Sequence, residues 1–215
     1  VQPQNQNIDK VFSNTTYYID FYQRHYKWND VPVKRLLDDV FFRFNNEYEK
    51  HKDSDIQLDK LVDQFGWYYL NSYVTNKSDN LYVVDGQQRL TTLTLILIKL
   101  KNMAESNNSK LKDWISSKIV GLDGYKQTFW MNHEAHIGAL KGLFEGKDLN
   151  DIDVSTGTTA INMRDNYKII SSWLEKELHD FKKYECFVFY FLRRLVLINL
   201  NVEQTDVTMV FEVIK

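Results

Sequence analysis

A single cysteine in 215 residues, Cys186, has no partner for an intrachain disulfide. Phe187, Phe189 and Phe191 follow it closely, which predicts a buried, inert thiol in a reducing compartment. A count of only two prolines and eight glycines fits a compact fold. Charge of one sign is missing too. The formal net charge of -2 carries no global basic signature for nucleic acid, so any DNA contact must come from a local patch or from a missing portion of the protein. No apolar run reaches membrane length and no signal peptide is found, which predicts a cytoplasmic protein with no membrane partner. A Gly-rich Walker loop, a serine nucleophile elbow and internal repeats are absent as well. The chain does have 43% hydrophobic and 14% aromatic residues, which support a real core and exclude disorder. Its length suits one large domain, or one domain with a helical appendage.

The most informative stretch is Tyr82-Val83-Val84-Asp85-Gly86-Gln87-Gln88-Arg89-Leu90-Thr91-Thr92. Its β-branched start reads as a strand end, and the run from Leu90 to Leu100 is apolar on nearly every side. Between them stand a carboxylate, a glycine, two amides and a guanidinium. This predicts strand, polar turn and buried helix, with polar side chains at a helix N-terminus, where unpaired N–H groups and the dipole favour an anion. Gly86 permits a positive φ or close approach to a ligand, and Arg89 has the fork that suits phosphate. The plain alternative is a turn dipeptide with Asp85 as helix cap. Against it stands the cost of burying Gln87, Gln88 and Arg89 without partners beside so apolar a helix, a few kcal/mol each.

Elsewhere, residues 1–10 are Gln/Asn-rich and read as a loose lead-in. A strand is expected over 17–21, followed by the dense group Tyr22-Gln23-Arg24-His25-Tyr26-Lys27-Trp28. Asn29 or Asp30 caps a helix with Pro32 in its first turn and Val33, Leu36, Leu37, Val40, Phe41 and Phe44 at helical spacing. The Asp38-Asp39 pair reads as its solvated face. Strands over 67–75 and 81–85 flank a hairpin loop, and the apolar helix runs to 106. Helices are expected over 109–120, 133–144, 158–178 and 181–192, strands over 127–131 and 196–202, and a last helix from 207 to the chain end, capped by Asp206. That abrupt apolar end reads as a fragment. His133 and His136 invite a metal or HNH reading, but no third ligand is placed for zinc, so Asn132 is expected to cap a helix with the histidines on its surface. The aromatics from Tyr184 to Phe191 read as core, and Lys182-Lys183 and Arg193-Arg194 as ordinary surface pairs.

With Ile19-Asp20-Phe21-Tyr22-Gln23-Arg24-His25-Tyr26-Lys27-Trp28, Leu36-Leu37-Asp38-Asp39-Val40 and Val84-Asp85-Gly86-Gln87-Gln88-Arg89-Leu90-Thr91-Thr92-Leu93 in view, the chain resembles a known family. It is similar to the N-terminal, ParB/sulfiredoxin-like domain of GmrSD-type, modification-dependent (type IV) restriction enzymes. Asn166-Tyr167 and Val210-Phe211-Glu212-Val213-Ile214 match more weakly. The family usually has proline at the positions of Asp20 and, often, His25. It continues past Ile214 with Asn and Arg-Gly, then with an HNH-type nuclease domain, so nuclease activity is not expected of this fragment.

The resemblance implies an α+β, ParB/sulfiredoxin-like fold: a small mixed sheet with surrounding helices and a helical C-terminal extension. Residues 1–106 would be the core carrying both motifs, and 107–215 a mainly helical portion with one returning strand. It implies a domain that binds and hydrolyses a nucleoside triphosphate with Mg2+ in anti-phage defence. Asp85, Gly86, Gln87, Gln88 and Arg89 would form the phosphate site, with Tyr22, Gln23 and Arg24 facing it and Thr91 and Thr92 in the nucleotide-binding set. Arg89 and Arg24 would clamp phosphate, Gln87 or Gln88 orient water, and Asp85 hold magnesium. Trp28 or Tyr22 would stack on a base or belong to the core. The implied partners are the nucleotide and, through the full-length protein, modified DNA; a homodimer stays open. The alternatives are a non-hydrolysing nucleotide switch or DNA-binding adaptor of the ParB-like type, and an interaction scaffold whose polar turn is structural.

Overall fold

The structure, a computed structural model, describes residues 2–20, 22–23, 25–203 and 206–207. Its strands are β1 (Gln2–Asn7), β2 (Tyr17–Tyr18), β3 (Tyr68–Lys77), β4 (Leu81–Asp85), β5 (Val120–Asp123), β6 (Lys126–Phe129), β7 (Met131–Asn132) and β8 (Leu195–Asn201). Its helices are α1 (Ile8–Val11), α2 (Asp30–His51), α3 (Leu58–Leu61), α4 (Gln87–Ser106), α5 (Lys112–Ser117), α6 (Ile137–Phe144), α7 (Thr158–Glu177) and α8 (Phe181–Arg194). The result is α+β: one mixed sheet in the order β1-β8-β3-β4-β2-β7, a separate β5–β6 hairpin, and helices around them.

The apolar run after Arg89 explains the layout. From Leu90 to Ile98 every residue of α4 is buried, the three threonines included, so neighbours must cover the helix on all sides. α5, α6, α7 and β7 do so. α2 follows its predicted spacing: Asn29 caps it, accepting from the Val31 N–H at 3.1 Å, and Val33, Leu36, Leu37, Val40, Phe41 and Phe44 form the buried face. Asp38 and Asp39 lie exposed opposite. The aromatic run of α8 meets that face, with Phe41 stacked on Phe187 at 4.5 Å between centroids and Phe44 against Tyr190 at 5.3 Å. Cys186 is buried there, and burial pushes its thiol up to about 12, the inert state expected. One apolar cluster runs from Ile8 to Leu197, so strands from both ends of the chain share one sheet and one core.

Several expectations change. Residues Gln2–Asn7 are not a loose lead-in but an edge strand antiparallel to β8, with Pro3 opposite Leu200. An edge strand needs backbone partners more than apolar periodicity, and it tolerates a proline. The helix expected over 109–120 shortens to α5, because the chain turns into the β5–β6 hairpin at Val120. The strand expected over 127–131 divides at Trp130 into β6 and β7, which belong to different sheets. The strand expected over 17–21 is paired only at Tyr17 and Tyr18; Phe21 lies outside the described residues. So do the Val210–Ile214 match and all but Val207 of the last expected helix. Among the described residues no helix is long and apolar enough to cross a membrane.

Candidate functional site

The turn between β4 and α4 is built on Gly86. Its φ of 97° lies in the left-handed region, and a Cβ there would stand 2.7 Å from the Tyr73 Cβ. The glycine therefore serves the turn and a close approach to β3 at once. Gly86 also occupies the N-cap position of α4, so no side chain caps that helix; Asp85, one residue earlier, is not the cap. Asn29 and Asp180, by contrast, cap α2 and α8. The 20-residue α4 thus begins with first-turn donors and a positive dipole end that no capping side chain serves.

Successive residues of a helix point about 100° apart, so Gln87, Gln88 and Arg89 go different ways. Gln87 lines a cleft of 450 Å³ that it shares with Asp20, Gln23, His25, Asn132, Glu134 and His136. Gln88 turns to the 25–28 segment. Its Oε1 accepts from the N–H groups of Lys27 at 2.8 Å and Trp28 at 3.1 Å, and its Nε2 donates to the His25 carbonyl at 2.8 Å. Arg89 stands 5.9 Å from the centroid of the Trp28 ring. Burial lowers its pKa, opposed by the Asp85 carboxylate and then by Tyr68 and Tyr69; guanidinium basicity keeps the charge. Arg43 of α2 lies over the Tyr68 ring at 4.4 Å, so two guanidinium groups act on one tyrosine.

Thr91 and Thr92 are both 0% exposed and hold the wall from behind. Thr92 Oγ1 donates to the Gln88 carbonyl and accepts from Tyr26 Oη at 2.7 Å, and Tyr26 Oη accepts from Asn166 Nδ2 at 2.9 Å. Burial raises the Tyr26 phenol to about 12, against the pull of the Thr92 and Asn166 bonds. Asn166 Nδ2 also donates to the Trp28 carbonyl, Asn162 Nδ2 to that of Tyr26, and Thr159 Oγ1 accepts from the Tyr26 N–H. The 26–28 segment is therefore clasped between α4 and α7. Asn166 of the Asn166-Tyr167 match thus serves the clasp, while Tyr167 Oη accepts from Asn102 Nδ2 of α4 at 2.8 Å.

From the Tyr22-Gln23-Arg24 group, Gln23 reaches the cleft, while its Nε2 donates to the Val83 carbonyl and its buried Oε1 has no partner among the described residues. Tyr22 is 55% exposed, which rules out a core role. Burial, then the nearby Asp20 carboxylate that it also hydrogen-bonds, raise its pKa. Arg24 lies outside the described residues. Trp28 is half-buried beside Arg89, packed against the core. The structure thus brings Gln23 and Gln87 to one cleft, places Arg89 within the electrostatic influence of Asp85, and gives Gly86, Gln88, Thr91 and Thr92 to the frame.

Two readings at 132–136 are overturned. Asn132 belongs to β7 and caps no helix, and His133 is 6% exposed rather than on a surface. Its Nε2 meets Thr91 Oγ1 at 2.9 Å. The available signal was the alternation Phe129, Met131, His133, all buried, which continues the strand period through the histidine. Burial, with His136 adding, lowers His133 to about 4 from 6.5, so the folded protein holds it neutral while the unfolded chain takes a proton below about 6.5. Stability from this group is complete above that pH and is lost as pH falls toward 4. The expected slope approaches about 1.4 kcal/mol per pH unit in that window. Urea midpoints measured from pH 7 to 4 check it, with His133→Gln expected to flatten the dependence. His136 is also lowered, by burial and then His25, and its Nδ1 pairs with Thr156 Oγ1 at 2.8 Å.

The arrangement is a polar cleft lined by the first residue of an uncapped helix, with the half-buried Arg89 guanidinium two residues further along that helix. It can receive an anion and orient water; no cluster of three metal-ligating side chains occurs among the described residues. Comparison with curated proteins finds no match. The sequence profile of the GmrSD restriction endonuclease N-terminal domain matches residues 8–214, nearly the whole chain and both motifs. The chain therefore belongs to the GmrSD restriction endonuclease N-terminal domain family.

Proposed function

We propose that, as a GmrSD N-terminal domain in a DNA-restriction, anti-phage defence system, the chain binds a nucleoside triphosphate at the amino end of α4 and hydrolyses it as a regulatory step. The observation that carries this reading is the uncapped start of α4 with Gln87 opening on the 450 Å³ cleft. A nucleoside fits such a volume, and its phosphates suit a helix N-terminus with a nearby guanidinium.

Each residue then has a task. Arg89 supplies the charge that phosphate oxygens meet, and Arg24 is its proposed companion. Gln23 and Gln87 bind from the cleft wall, and Gln87 is placed to hold a water. Gln88 and the two threonines keep the 25–28 segment and His133 in position; Tyr22 stands exposed near the entrance residue Asp20. Magnesium usually takes one or two carboxylates with waters and phosphates, and the exposed Asp85 carboxylate fits that count. The metal would spread phosphate charge during transfer.

The test is a thermal shift with each ribonucleoside triphosphate and magnesium, followed by phosphate release. Gln87→Ala is expected to lower turnover about tenfold to a hundredfold while much of the binding shift remains. No shift with any triphosphate defeats the reading. Binding with no release in the wild type makes the domain a nucleotide switch instead.

A further inference from the structure

α7 has two working faces. Thr159, Asn162 and Asn166 hold the 26–28 segment on one side. Arg164, Lys168, Ser172 and Lys176 recur every fourth residue along the helix, a row about 18 Å long at 1.5 Å per residue that winds about 40° per step away from the Arg164 side. Lys168 and Lys176 are exposed and make no salt bridge among the described residues. The acids of this helix are occupied: Asp165 with Arg164 at 3.0 Å, Glu175 with Lys99 at 2.7 Å, and Glu177 with Lys183 at 3.8 Å. Lys168, Lys176 and Lys34 of α2, the last paired with Asp30 at 3.4 Å, line a groove of 390 Å³ together with Ile169, Trp173 and Glu177.

From this we infer that the groove between α2 and α7 is where the chain receives the phosphate backbone of duplex DNA. The ammonium groups along the groove offer positive charge and hydrogen-bond donors to anionic oxygens. A duplex presents one phosphate per strand every 3.4 Å or so, several within the length of the row. The chain's net charge of -2 argues for a local patch, and this face has two lysines without a counter-charge. The inference rests on the restriction-system assignment and is independent of nucleotide binding. Because Thr159 and Asn166 lie on the same helix, the surface and the loop clasped by Gln88 share one rigid element.

The experiment is fluorescence anisotropy of a labelled 20-base-pair duplex titrated with the chain at several salt concentrations. The wild type is expected to bind with a steep salt dependence. Lys168→Gln with Lys176→Gln is expected to weaken binding about tenfold at low salt and to reduce the log–log salt slope by about two, one per lysine. Lys110→Gln with Lys126→Gln, an exposed pair elsewhere, is the control. No duplex binding by the wild type, an unchanged slope in the double variant, or an equal loss from the control overturns the proposal. The double variant is expected to keep any nucleotide-induced thermal shift, so failure here is distinguishable from failure of the nucleotide reading.

Discussion

Gly86→Ala is expected to lower the melting temperature by about 5–15 °C. Two penalties combine. A left-handed backbone costs an L-residue about 1–2 kcal/mol, and the added Cβ would stand 2.7 Å from the Tyr73 Cβ, a clash of the kind that costs about 1–3 kcal/mol more. In a chain of this size each kcal/mol moves the midpoint by about 2–4 °C. Gly124 supplies the control. It too has a positive φ, 61°, but an added Cβ there meets nothing within 4 Å, so Gly124→Ala carries only the first penalty. Thermal unfolding of the two variants separates strain from collision. Equal, small shifts would mean that β3 yields and that the close approach of Gly86 is unimportant. The collision also bears on the site, because relief must come from moving either β3 or the first turn of α4.

Arg89→Ala is expected to remove the stabilisation conferred by triphosphate and magnesium. A ligand at a hundred times its dissociation constant adds about 2.7 kcal/mol, some 5–10 °C for a chain of this size. Hydrogen bonds from a charged donor are worth about 1.5–3 kcal/mol, so losing a forked pair weakens binding about a hundredfold or more and leaves roughly a degree of shift. The deletion also leaves the Asp85 carboxylate without the favourable influence of that guanidinium. Without ligand the variant should melt close to the wild type, since the Trp28 ring lies 5.9 Å from the guanidinium and such contacts are worth about 1 kcal/mol. Arg89→Lys, which keeps the charge and loses the fork, should retain part of the shift. A full shift in Arg89→Ala would move the phosphate site away from this residue.

The motif that carries these predictions illustrates how far residue order alone reaches. An apolar run too long to be half-exposed announced a buried helix, and α4 is buried as expected. The polar residues before it announced a turn with tasks beyond its own geometry, and each of Gln87, Gln88 and Arg89 has a distinct environment. Which task belongs to which residue was illegible. Three adjacent polar positions on a helix start look alike in a string, and only the packing of the 25–28 segment onto Gln88 and of β3 beside Arg89 separates them. The edge strand at Gln2–Asn7 was hidden for a related reason: its stability comes from β8, nearly 200 residues away, not from a pattern of its own.

His133 marks the same boundary from the other side. Its burial was available in the alternation with Phe129 and Met131, yet its partner, Thr91, lies 42 residues earlier on another element. Local order, through helical spacing, glycine, a helix cap and an apolar run, determined the α+β class, the central helix, the glycine turn and the family. Tertiary structure decided that Gln23 and Gln87 meet at one cleft, that Thr91 and Thr92 face inward, and that α7 turns its asparagines to the clasped loop and its lysines to solvent. The physical reason is that hydrophobic periodicity and turn chemistry act over a few residues, whereas a polar partner can be any residue that the packed core brings within about 3 Å.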